Sequence, residues 1–374
     1  MIFKKNKNII KKQEEQYFTA TPRKLMWWKF KKHKFAVIAL YIIILMYLLA
    51  FLAEPLSPYN PEIRHIRYLY APPQKIHFIY NGSFHLWPAI HKIKFRIDSV
   101  TLREIYYEDA TESYPIQFFQ RGERYKMWNL FETNIHLFGV VPKGNIFLLG
   151  TDSMGRDLLS RMIYGARISL SIGFIGVFLS FILGIILGGI SGYFGGIPDL
   201  IIQRIIEVLR SIPSIPLWMG LSVALPMTWS PLKIYFGITI ILSFLGWTGT
   251  ARAVRGKLLA LREEDFAMAA YLAGASNSRI IRKHLLPSFL SHIIVSITLH
   301  IPGMILGETA LSYLGLGLRP PIISWGVLLK ECQNIQDVAH HPWLLLPVVF
   351  LMLVILSFNF IGDGLRDASD PYAA

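Results

Sequence analysis

The chain has 374 residues, 53% of them hydrophobic and only 17% charged, with a mean hydropathy of +0.42. A soluble protein of that length is rarely so apolar, so the composition belongs to the membrane class. The formal net charge of +14 does not imply nucleic acid, because the aromatic residues sit in the apolar stretches rather than between the basic ones. The single cysteine, Cys332, excludes an intramolecular disulfide and a thiolate metal site.

The N-terminal segment 1–34 carries eleven Lys/Arg against Glu14 and Glu15, and the positive-inside bias predicts that it stays in the cytoplasm. Six stretches are apolar and near the roughly 20 residues a spanning helix needs: 35–53, 168–194, 211–232, 234–251, 288–307 and 342–362. The first is too long for a signal-peptide core and no small-residue cleavage site follows, so it is expected to be a membrane helix. Residues 54–167 form an insertion expected outside. Within it, 92–98 alternates charged and apolar residues as a half-buried strand does, and 114–119 is a second strand candidate. A small β-rich subdomain is expected, serving either as a contact surface for an external partner or as a cover over the spans. His77, His85, His91, His340 and His341 lack ligand spacing and read as surface-loop residues. Asn81-Gly82-Ser83 matches a glycosylation acceptor, a pattern too common to carry weight.

Thr151-Asp152 and Gly155 read as a turn, and an amphipathic helix is expected from Asp157, lying on headgroups with Leu158, Leu159, Met162 and Ile163 toward lipid. Arg156, Arg161 and Arg167 can reach headgroups or pair with Asp152 and Asp157. Taken as a catalytic carboxylate pair, Asp152 and Asp157 lack a second functional cluster. In the second span Gly184, Gly188 and Gly192 recur every four residues, and Gly303 and Gly307 repeat that device in the fifth; such stripes let a neighbouring helix approach closely. Glu308 closes the fifth span. It is a candidate for the substrate path by default, although at that position it can also reach water or bond locally to Thr309 and Ser312. His292 and His300 are expected to be neutral and bonded to a neighbouring helix.

Between the fourth and fifth spans, the loop 252–287 holds seven Lys/Arg, which predicts a cytoplasmic location. Its segment 265–287, DFAMAAYLAGASNSRIIRKHLLP, reads as a helical hairpin. Ala269-Ala270 form a small-sided helical surface, Gly274 is the turn, Ser276 a helix N-cap, and Ile280, Ile281 and Leu285 an apolar side ending at Pro287. No Glu or Gln completes a capping box, since Arg279 stands in that place.

This hairpin resembles the cytoplasmic EAA loop of ABC importer permeases: Ala269, Ala270, Gly274, Leu286 and Pro287 fall in register, while Met268 replaces the Glu and His284 the Ile of that pattern. The segments 149–167, 307–317, 324–326 and 362–371 are similar to corresponding stretches of the C-type membrane subunit of the dipeptide, oligopeptide and nickel importers, so the resemblance covers nearly all of the chain apart from the insertion. It implies an all-α polytopic inner-membrane protein of six transmembrane helices with the type I importer permease core at 168–362, a cytoplasmic tail at 363–374, and both termini in the cytoplasm. It further implies an ATP-driven peptide importer in which Asp265, Met268, Ala269, Ala270, Gly274, Ala275, Leu286 and Pro287 form the coupling surface. The implied partners are a homologous second permease, two ATPase subunits and an external solute-binding protein, within the lipid bilayer. No cofactor is expected on this chain, ATP and Mg belonging to the ATPases, because the sequence has no G-x-x-x-x-G-K-[ST] phosphate loop. The alternatives are a nickel or other small-solute importer of the same family and, less well matched, a passive channel.

Overall fold

The computed structural model of the chain describes residues 22–80, 82–99, 104–128, 130–141 and 144–369. The basic residues before 22, Asn81 of the glycosylation pattern and the Asp370-Pro371 ending lie outside the described residues. A short helix α1 (Pro22–Lys32) precedes α2 (Lys34–Phe51), which starts where His33 Nδ1 accepts the Ala36 N–H at 3.1 Å. The core continues through α3 (Leu158–Phe194), α4 (Gly196–Ser211), α5 (Ser214–Val223), α6 (Pro231–Leu261), α7 (Asp265–Leu272), α8 (Leu290–Tyr313), α9 (Trp325–Lys330), α10 (Ile335–His340) and α11 (Leu346–Ser369).

Among the described residues five helices are long and apolar enough to cross a membrane, α2, α3, α6, α8 and the helical stretch Pro342–Ser369 that contains α11. The expected third span, 211–232, is not among these long helices. The stretch 211–232 is the short helix α5 followed by a turn, and 234–251 lies inside α6. Pro213 and Pro216 explain the difference: Pro213 lacks an N–H and the chain leaves α4 at Ile212 in extended conformation, so α4 and α5 are separate pieces. Together they still run antiparallel to α6 along its length. Asp199 pairs with Arg255, Ile206 packs in a cluster with Trp247 and Ala251, and Leu225 lies against Gly237.

Helices α3 and α6 make the most extensive helix contact. A Cβ added at Gly184 would lie 2.5 Å from the Thr250 Cβ, one at Gly188 2.5 Å from the Ala251 carbonyl oxygen, and one at Gly192 2.8 Å from the Arg255 carbonyl oxygen. Backbone therefore meets backbone, as small residues permit. Gly307 faces Trp218 and Leu242, whereas a Cβ at Gly303 would meet nothing within 4 Å among the described residues. On the other side, α11 packs on α2 and α8, with Ala39, Ile43 and Met46 meeting Val354, Phe358 and Ile361 in one apolar core.

The insertion is β-rich, with strands β1 (His77–Tyr80), β2 (Ser83–Ile97), β3 (Glu104–Pro115), β4 (Gln117–Met127) and β5 (Phe131–Gly139). They form an antiparallel β1-β2-β3 sheet and a separate β4-β5 hairpin. The candidate strand at 114–119 is in fact a junction: β3 ends at Pro115 and β4 starts at Gln117, around the buried Ile116. The alternation at 92–98 buries Ile93 but leaves Phe95 and Ile97 exposed, and the lysines pair across the sheet, Lys92 with Glu112 at 2.7 Å and Lys94 with Asp109 at 2.5 Å. The histidines His77 and His91 are on strands rather than surface loops. Their rings are 4.0 Å apart, His77 bonds Glu108 at 2.8 Å, and His91 is buried.

Helix α3 begins ten residues before the expected span, and this overturns the headgroup helix. Leu158, Met162 and Ile163 are buried in protein; Leu158 and Met162 share a core cluster with Trp325, whose Nε1–H donates to the Met162 carbonyl at 3.2 Å. The arginines are equally enclosed. Arg161 and Arg156 both pair with Asp152 and with Glu331, and Arg167 grips Glu54 at 2.6 Å and the Ala50 carbonyl at 3.0 Å. Asp157 is the N-cap, accepting the Ser160 N–H at 2.8 Å and its hydroxyl at 2.6 Å. Its other oxygen has no partner among the described residues, and burial pushes its carboxyl up to about 7 against the pull of the Ser160 bonds.

Two stability measurements follow from this packing. Gly188→Ala should lower the detergent-solubilised protein's melting temperature by the equivalent of roughly 1–3 kcal/mol, the range for overpacking, while Gly303→Ala should be silent; equal effects would contradict the α3–α6 contact. Because the folded carboxyl of Asp157 binds its proton more tightly than the unfolded one, stability should fall as pH rises from about 4 through 7. Asp157→Asn, which keeps an accepting cap oxygen, should flatten that slope in thermal melts across this window.

Candidate functional site

The hairpin 265–287 is built on α7. The Glu264 carbonyl accepts the Ala267 and Met268 N–H groups, and the helix ends in a left-handed turn at Gly274, φ +79°. There the Ala275 N–H reaches back to the Ala270 carbonyl at 3.1 Å and the Gly274 N–H to Tyr271 at 2.9 Å, the paired bonds of a Schellman ending. Ala270 and Ala275 pack on the same cluster, which supplies that motif's apolar contact. Ser276 stands at the N-cap of the return helix, but only its carbonyl takes part; the side chain makes no capping bond.

The return limb has one turn of α-helix at Asn277–Arg279, a π-helical stretch Ile280–Leu285 and a short turn Leu286–Ser288. Pro287 accounts for the wide turn, since its ring would crowd the carbonyl four residues back in a regular helix and it has no N–H to donate. Ile280 and Leu285 are buried, with Ile281 beside them, against Val254 and Leu258 of α6 and Phe289 and Ile293 at the start of α8. Tyr193 at the end of α3 is tied to the hairpin by a 2.9 Å bond between its hydroxyl and Asn277 Oδ1. Close by, Asp199 of α4 is held by Arg255 and Ser191, which clamps α3, α4 and α6 together.

Of the expected coupling residues, Ala270, Ala275 and Leu286 face partly inward, whereas Asp265, Met268, Ala269, Gly274 and Pro287 are exposed. Met268, where the family pattern has Glu, borders a shallow cleft with Tyr193, Arg262 and Tyr271. The structure adds residues that the motif did not single out: Phe266, Tyr271 and Leu272 are exposed beside Met268, Leu272 at 79%, with Arg279, Arg282 and Lys283 exposed on the return limb. A signal for them is present in the sequence. The helix DFAMAAYL is apolar on every side, yet only Ala267 is buried, so most of its apolar surface has to face outward. Exposed apolar patches with a charged rim mark interaction surfaces.

Glu308 is fully buried and does not reach water. Its carboxylate accepts the hydroxyls of Ser312 at 2.7 Å and Ser324 at 2.6 Å, and these serines in turn accept the Leu318 and Val327 N–H groups. Thr309 Oγ1 takes no part and has no partner among the described residues. Glu308 thus pins the chain between α8 and α9 and is enclosed in this conformation. His300 bonds the Ser296 carbonyl of its own helix at 2.6 Å, not a neighbouring helix. Among the described residues no group of three or more His, Cys, Asp or Glu is arranged to hold a metal.

Apolar helices packed through small residues, with a helical hairpin projecting from the ends of two of them, define a multi-pass membrane transport subunit. The chain belongs to the family described as binding-protein-dependent transport system inner membrane component, matched over residues 180–373, and residues 21–73 match the N-terminal TM domain of oligopeptide transport permease C. It is 44% identical over 223 residues, 59% of this chain and 69% of the relative, to the oligopeptide transport system permease protein OppC of Haemophilus influenzae. It is 41% identical over 222 residues, 59% and 68%, to the dipeptide transport system permease protein DppC of Bacillus subtilis. A solved structure of the MetNI methionine ABC transporter in inward facing conformations aligns with 56% of this chain and 97% of its own at 20% identity and a TM-score of 0.46.

The left-handed turn at Gly274 can be checked by hydrogen exchange. Forcing an L-side chain into that conformation costs about 1–2 kcal/mol, so Gly274→Ala should speed exchange of the Ala275 amide roughly tenfold and leave the global melting temperature unchanged.

Proposed function

We propose that this chain is a membrane subunit of an ATP-driven importer that passes oligopeptides or dipeptides, with the hairpin 265–287 as the surface that receives the ATPase. The carrying observation is the exposed apolar face Phe266, Met268, Tyr271 and Leu272 on a hairpin whose inner face is locked to α6 and α8. Such a surface is unfavourable in water and is explained by a partner. The relatives' names support peptide as the cargo, and the seven Lys/Arg of the loop 252–287 support a cytoplasmic hairpin, with both termini on the same side.

In this reading two ATPase subunits bind ATP and Mg, a homologous second permease completes the pathway, and an external solute-binding protein delivers the peptide. ATPase closure would push α7, and the shared packing of Ile280 and Leu285 with Val254, Leu258, Phe289 and Ile293 would carry that displacement into the ends of α6 and α8 together. Tyr193 and Asn277 would bring the end of α3 along. A rigid hairpin is required for this, because a loose one would absorb the displacement.

Leu272→Asp tests the assignment. Leu272 is 79% exposed, so the variant should reach the membrane at normal abundance yet lose ATPase co-purification and uptake of labelled peptide in cells carrying the whole transporter. Undiminished co-purification and uptake would refute the docking role. Uptake of nickel but not peptide by the unaltered transporter would overturn the cargo.

A further inference from the structure

A cleft of about 630 Å³ lies where the insertion meets the core, between the start of β3, the loop Leu69–Pro72 and the α10 segment. Its walls are aromatic. The Tyr70 ring stacks on His341 at 4.2 Å with a 9° interplanar angle, and Trp343 lies 5.1 Å beyond His341. Tyr106 forms the facing wall, its hydroxyl 2.7 Å from the Leu69 carbonyl and 2.9 Å from the Glu104 carboxylate. Trp343 is anchored by its Nε1–H to the Thr151 carbonyl at 3.0 Å.

Two carboxylates, Glu104 and Asp337, border the cleft from opposite sides of the junction, and among the described residues no lysine or arginine lines it. In a chain of net charge +14, a concave site with acidic groups and no such base is a local reversal of sign. Burial, with Asp337 and Glu331 nearby, pushes the Tyr70 phenol up to about 12, so the ring is neutral and its electron-rich face is retained. Tyr70 also has φ +52°, a left-handed conformation uncommon for a non-glycine residue, held by its N–H to the Asp152 carbonyl at 3.0 Å. The backbone bears that strain while directing the ring into the cleft, as pre-organised sites do.

We propose that this cleft binds an organic cation, the alkylammonium or guanidinium group of a short peptide. Aromatic faces attract such a cation, and carboxylates at the rim supply charge-assisted hydrogen bonds. The apolar stem of a lysine or arginine side chain suits the ring walls. The cleft's volume is that of a small-ligand site rather than of a protein docking face, and an anionic group would meet two carboxylates. The proposal needs neither the direction of transport nor the ATPase assignment, so it can fail independently of them.

The test is calorimetric titration of the full-length chain, in nanodiscs of zwitterionic lipid, with trilysine and with trialanine. Trilysine should bind saturably and trialanine should not. Asp337→Asn should weaken trilysine binding at least roughly tenfold, the effect of losing about 1.4 kcal/mol, with a parallel loss in Glu104→Gln, whose site is an exposed strand end. Glu62→Gln, a carboxylate outside this cleft, should change nothing. Absence of saturable trilysine binding, equal binding of trialanine, or equal losses in all three variants would overturn the assignment.

Discussion

The backbone contact between α3 and α6 is the constraint on which the remaining architecture rests. With Gly184, Gly188 and Gly192 set against Thr250, Ala251 and Arg255, the two longest helices can neither slide nor rotate without driving a main chain into a main chain. That contact fixes where α6 ends, and therefore where the hairpin emerges. It also places Arg255 within reach of Asp199, an ion pair that adds to the apolar packing of Ile206 on Trp247 and Ala251 in holding the broken α4–α5 segment beside α6.

Polar groups inside the fold collect at the two ends of the helices, and they do different things there. At the end near the insertion, Asp152, Arg156, Arg161 and Glu331 neutralise one another, and Glu308 gathers serines from α8 and from the start of α9. Buried ionic groups of this kind contribute geometry more than stability, since their desolvation offsets much of their attraction. At the opposite end the hairpin is held to α6 and α8 mainly by apolar packing. The replacement of the family's Glu by Met268 fits this end, where the outward surface is apolar.

The insertion is attached to the core through both kinds of contact. Arg167, Glu54 and Trp128 join it near the α2 exit, with the Arg167 guanidinium 4.1 Å from the Trp128 ring centre. Thr151 lies between the Tyr68–Ala71 approach and Trp343. The junction is therefore a built contact with its own concave surface.

Composition, the positions of most spans, the β-rich insertion and the hairpin with its glycine turn were legible in the amino-acid sequence, because each depends on local periodicity or on backbone conformations only certain residues adopt. The glycine stripe in α3 was legible as a packing device, but its partner was not: nothing local distinguishes Gly192, which meets Arg255, from Gly303, which meets open space. Hydropathy counted 211–232 as one span since it averages over Pro213 and Pro216, whose effect on the helix is geometric. The amphipathic look of 157–167 pointed to lipid, and only the tertiary structure decided otherwise, by bringing Trp325 onto Met162 and Glu331 onto Arg156 and Arg161. A sequence determines which faces must leave water or find a partner, whereas the identity of the covering surface depends on residues far away in the chain, and that only the folded chain settles.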